Sequence, residues 1–389
     1  MAIKLPVYMD HNATTAVYPS VSKAIMLALD MPGNASSIHG AGRAVRKLIE
    51  DSRERVAELV GAKPASVVFT SGGTEANNMV IGGFKNCPGE TRILASAIEH
   101  PSVLKVLPNI ETVAVDSDGV IDLDALEKIL ACSPFVEGAG STLVSVMLAN
   151  NETGVIQPIV EVVSIARRHG AFVHCDAVQA VGKIPVDLES LGVHLLSLSA
   201  HKIGGPAGVG ALVMNEGLAN NMQLSPLVLG GGQERGQRAG SENISGIAGF
   251  GKAAEYALKN LHEYSKINVL RDRIERELSR HTDVRIFGSC VPRIANTCSL
   301  TMPSVPAERQ IIDFDLAGIA LSAGSACSSG KVEPSHVLAA MGVAKDEART
   351  AIRVSLGWTT TDQNIDMFIK TWNNIFKRSK APAGNLEAA

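Results

Sequence analysis

Residues 195–212 read LLSLSAHKIGGPAGVGAL, and the change of texture within them points to the fold. Leu195–Ser199 is short and apolar on both faces, as expected of a strand in a sheet covered by helices on both sides. At Ser199-Ala200-His201-Lys202 the apolar run stops, and a glycine-rich turn follows. A lysine just after a buried strand sits at the carboxyl edge of a sheet. It is either a surface cation leaving the sheet or an amine whose pKa is lowered by partial burial, fit to form a Schiff base.

Strands of the same kind recur on both sides. VVFT (67–70), RILASA (92–97), TVAV (112–115), LVSVM (143–147), FVHC (172–175) and ALVM (211–214) alternate with helical or loop segments, which is the α/β pattern. Before them, GRAVRKLIEDSRERVAELVG places Val45, Leu48, Ile49, Val56 and Leu59 on one helical stripe, stopped by Gly61. After about Leu261 a charged helix, INVLRDRIERELSRH, leads into shorter strands, NTCSLTM and AIRVSL. The expected organisation is a large α/β domain over 15–260 and a small α+β domain built from 1–14 with 261–380. The aperiodic segment 381–389 is expected to be a disordered tail.

The formal net charge is −3 with no dense basic run, so nucleic acid is not favoured as a partner. No uncharged apolar run approaches the ~18 residues of a membrane span, and the opening MAIKLPVYMDHNATT lacks a signal-peptide pattern. The expected setting is the cytoplasm. Six cysteines at 87, 132, 175, 290, 298 and 327 form no C-x-x-C pair, against a zinc ribbon or a secreted disulfide framework, and no metal is expected. GIAGFGKA (246–253) misses a Walker loop at Ala253, and DSDGVIDLDALE has its glycine in the wrong place for an EF-hand. The latter reads as a turn into a helix capped by Asp122.

Other strand ends carry chemistry too. Asp176 follows the apolar run at 172–175, as a helix cap or as a carboxylate that could keep a pyridinium nitrogen protonated. Gln179 lies one turn on and could hydrogen-bond a ring oxygen. In VVFTSGGTEANNMVIGG, Gly72 and Gly73 permit close backbone approach and Thr74 adds a hydroxyl at a helix N-terminus, which suits a phosphate. His100 follows the next strand, either as a satisfied structural residue or as an imidazole that stacks on a planar ring and moves protons. In AIRVSLGW, Arg353 shares a strand face with Ala351 and Ser355, opposite Ile352, Val354 and Leu356. SAGSACSSGK (322–331) sets Cys327 among small residues, a bystander thiol or a reactive one.

Lysine, aspartate, phosphate cradle and histidine together describe a pyridoxal 5′-phosphate site. The motifs YMDHNATT (8–15), GNASSIHGAGR (33–43), SGGTEANN (71–78), ANNETGVIQPI (149–159), CDAVQAVGK (175–183), SAHKIGGP (199–206), GGGQERGQRAGSEN (230–243), GSACSSG (324–330) and IRVSLG (352–357) resemble, in order, those of the cysteine desulfurases of the NifS/IscS type. These are class V aminotransferase-family enzymes of pyridoxal-phosphate fold type I. The resemblance covers residues 8 to about 370. It implies that Lys202 holds the cofactor as an internal aldimine, Asp176 pairs with its ring nitrogen and His100 stacks on the ring. It further implies that Asn151 and Gln179 contact the ring oxygen and that Gly73, Thr74, Ser199, Ala200 and His201 cluster around the phosphate or the lysine. Ser241 takes the place of a hydroxyl residue that reaches the partner subunit's phosphate, implying a homodimer with shared sites. Arg353, with Asn151, would grip the substrate carboxylate.

The activity implied is conversion of L-cysteine to L-alanine with a persulfide left on Cys327. The sulfur would pass to an acceptor such as an iron–sulfur scaffold, or to a tRNA-thiolation relay. A selenocysteine lyase or aminotransferase on the same fold, and a non-catalytic scaffold that works by binding other proteins, are the alternatives. Gly205, Ala207 and Trp358 depart from residues common in relatives, which bears on partner contacts or site entry.

Overall fold

The computed structural model describes residues 6–86, 90–132, 140–215, 217, 222, 224–324 and 334–380. Cys327 and the segment 381–389 lie outside the described residues, as does Cys87. The strands are β1 (Val7–Tyr8), β2 (Val67–Thr70), β3 (Glu90–Ser96), β4 (Glu111–Val113), β5 (Gly140–Met147), β6 (Phe172–Asp176), β7 (Leu195–Ser199), β8 (Gly210–Met214), β9 (Thr297–Thr301), β10 (Ile319–Ala320), β11 (Ser322–Ala323) and β12 (Ala351–Ser355).

One sheet has seven strands in the order β2-β8-β7-β6-β5-β3-β4. The pairs β3–β4, β3–β5, β5–β6 and β6–β7 are parallel, and β8 runs against both of its neighbours. Both faces are covered, so β2 and β7 are buried along their whole length. That is why they read as continuous apolar runs. All seven runs picked out in the sequence fall in this sheet.

Helix α1 (Pro19–Leu29) and helix α2 (Gly40–Leu59) pack on the helix Ile244–Lys259. On α2 the buried stripe contains Val45, Ile49, Val56 and Leu59, with Leu48 half-buried. The helix ends where Gly61 takes φ +62, a left-handed conformation open to glycine at little cost. GIAGFGKA lies inside the helix Ile244–Lys259, and Asp122 caps the helix Leu123–Ala131 by accepting from the Ala125 N–H at 2.9 Å.

A second sheet, β11-β12-β9, is antiparallel. Its core gathers Ile352, Val354 and Leu356 with Phe314 and the stripe Ile365, Phe368, Trp372 and Phe376 of the helix Asp362–Lys380. Burying each large side chain contributes about 1.5–3 kcal/mol relative to exposure. The N-terminal segment returns to this unit: β1 pairs parallel with β10, and Asp10 bridges to Ser355. Among the described residues no helix is long and apolar enough to cross a membrane.

Candidate active site

In open sheets with parallel strands, ligand sites lie beyond the carboxyl ends of the strands. At that edge β2 delivers Gly73 and Thr74, β3 delivers His100, β5 delivers Asn151, and β6 and β7 deliver Asp176 and Lys202.

Asp176 is 5% exposed. Its Oδ1 accepts from the Val178 N–H at 2.9 Å and its Oδ2 from Asn77 Nδ2 at 2.7 Å. The same Asn77 amide nitrogen donates to Ser102 Oγ at 2.9 Å. His100 caps the short helix Pro101–Leu104, and its Nδ1 accepts from the Ser102 N–H at 3.1 Å. That bond makes Nδ1 an acceptor and leaves the proton of the neutral ring on Nε2. Burial lowers the His100 pKa; the Asp176 charge opposes that shift, and the Lys202 and His336 charges reinforce it. The cap thus occupies Nδ1 and leaves Nε2 as the nitrogen that could move a proton.

Lys202 Nζ donates to the carbonyls of Asn12 and Ala13, the latter at 2.7 Å. Burial is the main cause that lowers its pKa to about 8; Arg353 adds to the shift, against Asp10 and Asp176. Gly204, at φ +79 beside the Tyr18 ring, turns the chain away directly afterwards.

Arg353, 6% exposed, lies in the middle strand of the small sheet. Its Nη2 binds Asp10 Oδ1 at 2.7 Å and its Nη1 the Asn151 carbonyl at 3.1 Å. Ser322 Oγ donates to the other Asp10 oxygen at 2.6 Å.

Whether the residues fit pyridoxal 5′-phosphate can be judged from what is left open. The helix Gly73–Lys85 starts without a side-chain cap, so its first N–H groups are available to an anion. A Cβ at Gly73 would come within 2.7 Å of Val178, so only glycine keeps that backbone against the turn after Asp176. Among the described residues, Arg353 Nε, Glu99 Oε2 and Asn77 Oδ1 are buried without a partner. A buried acid, a half-buried amine and an uncapped helix start at one edge suit a phosphorylated pyridine aldehyde. Ser199 and Ala200 are buried and His201 half-buried on the approach to Lys202. Ser241 stands apart, exposed on a separate cavity of about 110 Å³ that it shares with Thr70, Ser71 and Arg238.

The sequence reading passed over several residues that organise this edge. Asn12 is a hub: its carbonyl accepts from Gln179 Nε2 at 2.9 Å and from Lys202, and its Oδ1 from Asn296 at 3.0 Å. Its own amide donates to Thr297 Oγ1 and to the Asn151 carbonyl, and its N–H donates to Ser355 Oγ. The motif YMDHNATT was the available signal. Glu99 is fully buried, and burial together with the Asp176 charge raises its pKa well above the usual carboxylate range. The thiol next to Asp176, Cys175, is fully buried with its pKa pushed up by desolvation, so it is an inert cysteine. Trp358 packs at 4.8 Å on Tyr18 and donates to the Ala16 carbonyl.

Residues 7–368 match the family model described as Aminotransferase class-V. A cysteine desulfurase of Nostoc sp. is 41% identical over 395 residues, covering 98% of this chain and 96% of that one. Cysteine desulfurase IscS of Dictyoglomus turgidum is 40% identical over 388 residues, covering 97% and 96%. Among solved structures, a NifS-like protein from Rickettsia africae superposes with a TM-score of 0.86 at 38% identity, covering 96% of this chain and 99% of that chain.

Proposed function

From the premise that this chain belongs to the aminotransferase class-V family, we propose that it is a pyridoxal 5′-phosphate-dependent cysteine desulfurase. The observation that best supports this reading is the gathering of Lys202, Asp176 and His100 at one sheet edge, close enough to feel one another's charge.

When bound, the cofactor supplies an electron sink for the bond-breaking at the substrate. Lys202 is its attachment point and the base for the substrate α-proton. Asp176, fixed by Asn77 and the Val178 N–H, offers a carboxylate to the ring nitrogen. Gly73 and Thr74 offer the start of a helix to the phosphate, with Ser199, Ala200 and His201 on the opposite turn. Gln179 and Asn151 serve the ring oxygen, and Arg353 with Asn151 the substrate carboxylate.

His100, protonated on Nε2, holds or hands over a proton at the departing sulfur. The Cys327 thiolate attacks that sulfur: the carbon–sulfur bond of L-cysteine breaks, a sulfur–sulfur bond forms, and the carbon takes up a proton. The products are L-alanine and a persulfide on Cys327. The persulfide then serves an acceptor protein, with an iron–sulfur scaffold as the leading acceptor class. A homodimer in which Ser241 reaches the partner subunit's phosphate, working in the cytoplasm, completes the proposal.

The test is a cysteine-dependent alanine and sulfide assay with mass spectrometry at residue 327. Lys202→Ala should form no alanine above background. Cys327→Ala should bind cofactor normally and transfer no sulfur. Alanine formation at the parental rate by Lys202→Ala, or turnover only with selenocysteine or a keto acid, would overturn the reading.

A further inference from the structure

Lys183 is 3% exposed, and among the described residues no carboxylate lies within ion-pairing distance of it. A lysine in that position is costly to keep charged. Its acceptors are two amide oxygens: Gln179 Oε1 at 2.8 Å and Asn12 Oδ1 at 3.2 Å. A neutral amine has two N–H donors, enough for both. Burial, with the charges of Lys202 and Arg353 reinforcing it, holds the Lys183 pKa well below that of an ordinary lysine. Its placement is specific: Gly182, at φ +72, has its missing Cβ position 2.8 Å from Ile203, so this turn lies directly against the one carrying Lys202.

The pattern fixes the Gln179 amide. Its oxygen receives the Lys183 amine, and its nitrogen donates to the Asn12 carbonyl. Flipped, the amide would set acceptor against acceptor at Asn12 and give up the bond its oxygen now accepts from the Lys183 amine. The Asn12 carbonyl holds only the nitrogen end of the amide, and Lys183 holds the oxygen end.

We infer that Lys183 is a positioning residue that holds the Gln179 amide nitrogen, and hence its second N–H, toward the ring oxygen of the cofactor. The inference rests on the pyridoxal-phosphate reading above. It adds a role for a buried lysine that does not itself touch cofactor or substrate. A donor at the ring oxygen stabilises the negative charge there and so eases loss of the neighbouring proton.

The test uses the full-length protein, stripped of cofactor and reloaded with pyridoxal 5′-phosphate. In Lys183→Met the pH midpoint of the bound cofactor's visible absorbance should rise by about one unit, as expected for a lost hydrogen bond to a charged oxygen. The cofactor dissociation constant should rise about tenfold. Both effects should vanish with 3-deoxypyridoxal 5′-phosphate, which lacks the ring oxygen, and in a Gln179→Met background, because coupled residues are not additive. Lys183→Leu, which also lacks a donor, carries the same expectation should the methionine variant not fold.

A folded variant with the parental midpoint and affinity would overturn the inference. So would full effects persisting in the Gln179→Met background, or failure of both variants to fold. If the parent protein itself develops no visible band with pyridoxal 5′-phosphate, the functional reading fails instead.

Discussion

Arg353 Nη2 lies 2.7 Å from Asp10 Oδ1, while Nε of the same guanidinium is buried without a partner. Asp10 is in turn held by Ser322. One edge of the fork is thus fixed to a carboxylate and a donor on the other is left over. Such an orphan is stabilised by an added anion. Arg353→Lys keeps the charge but loses the fork. It should lower kcat/KM for L-cysteine by about thirtyfold, the size of a lost charge-assisted hydrogen bond of about 2 kcal/mol. The loss should fall mainly in KM, and steady-state kinetics over a cysteine series would show it.

Lys202 reacts with an aldehyde only as the neutral amine. With its pKa lowered to about 8, the rate of cofactor attachment to the cofactor-free protein should climb through pH 8 and level off above it. An ordinary lysine would still be climbing at pH 10. Arg353→Met removes a cation that lowers this pKa, so its midpoint should move upward. Stopped-flow absorbance across pH 6–10 reads both, and a profile with no break near pH 8 would contradict the burial argument.

Asn77 is the residue through which Asp176 and the His100 helix share one amide. Asp176→Ala should retain a folded chain but lose turnover by about a hundredfold to a thousandfold, the range seen when a charge-stabilising group is removed. Asn77→Ala should cost about tenfold, one hydrogen bond's worth. Equal losses in the two variants would show that Asn77 is more than the orienting group for Asp176.

Four buried or half-buried histidines resist protonation in the folded chain: His11, His194 and His201 near pKa 4 and His174 near 3. Burial is the first cause in each. The unfolded chain takes up these protons near pH 6.5 and the folded chain does not. Stability conferred by the neutral rings is therefore present above pH 6.5 and falls as the pH drops toward 4. Each site contributes a slope of up to about 1.4 kcal/mol per pH unit. His174, held between Ser145 Oγ at 2.8 Å and Ser197 Oγ at 2.9 Å, is the clearest case. His174→Asn should be less stable at pH 7 but show a shallower loss between pH 6.5 and 4 in urea unfolding. An unchanged slope would refute the assignment.

The seven strand runs of the large sheet were legible because doubly covered strands must be apolar throughout. Lys202, Asp176 and His100 stood out because a polar group directly after such a run is at a sheet edge by geometry. Polar contacts between distant segments carry no such periodicity. Nothing in the spacing of YMDHNATT says that Asn12 joins Gln179, Lys202, Thr297 and Ser355, because each of those contacts is made only by the tertiary fold. The two-residue strands β1 and β10 fall below any alternating pattern. Lys183 and Glu99 look like ordinary charged surface residues in sequence; only their burial marks them out.

The Asn12 hub also sets an order of events during synthesis. Asn12 precedes every strand of the large sheet, yet its hydrogen-bond partner Ser355 follows 343 positions later. The seven-stranded sheet can close while the chain is still growing, since its strands end at Met214. The lysine pocket at its edge cannot, because its floor waits for the second unit to emerge and clasp the segment around Asn12. A stalled nascent chain should therefore own a finished sheet and no cofactor.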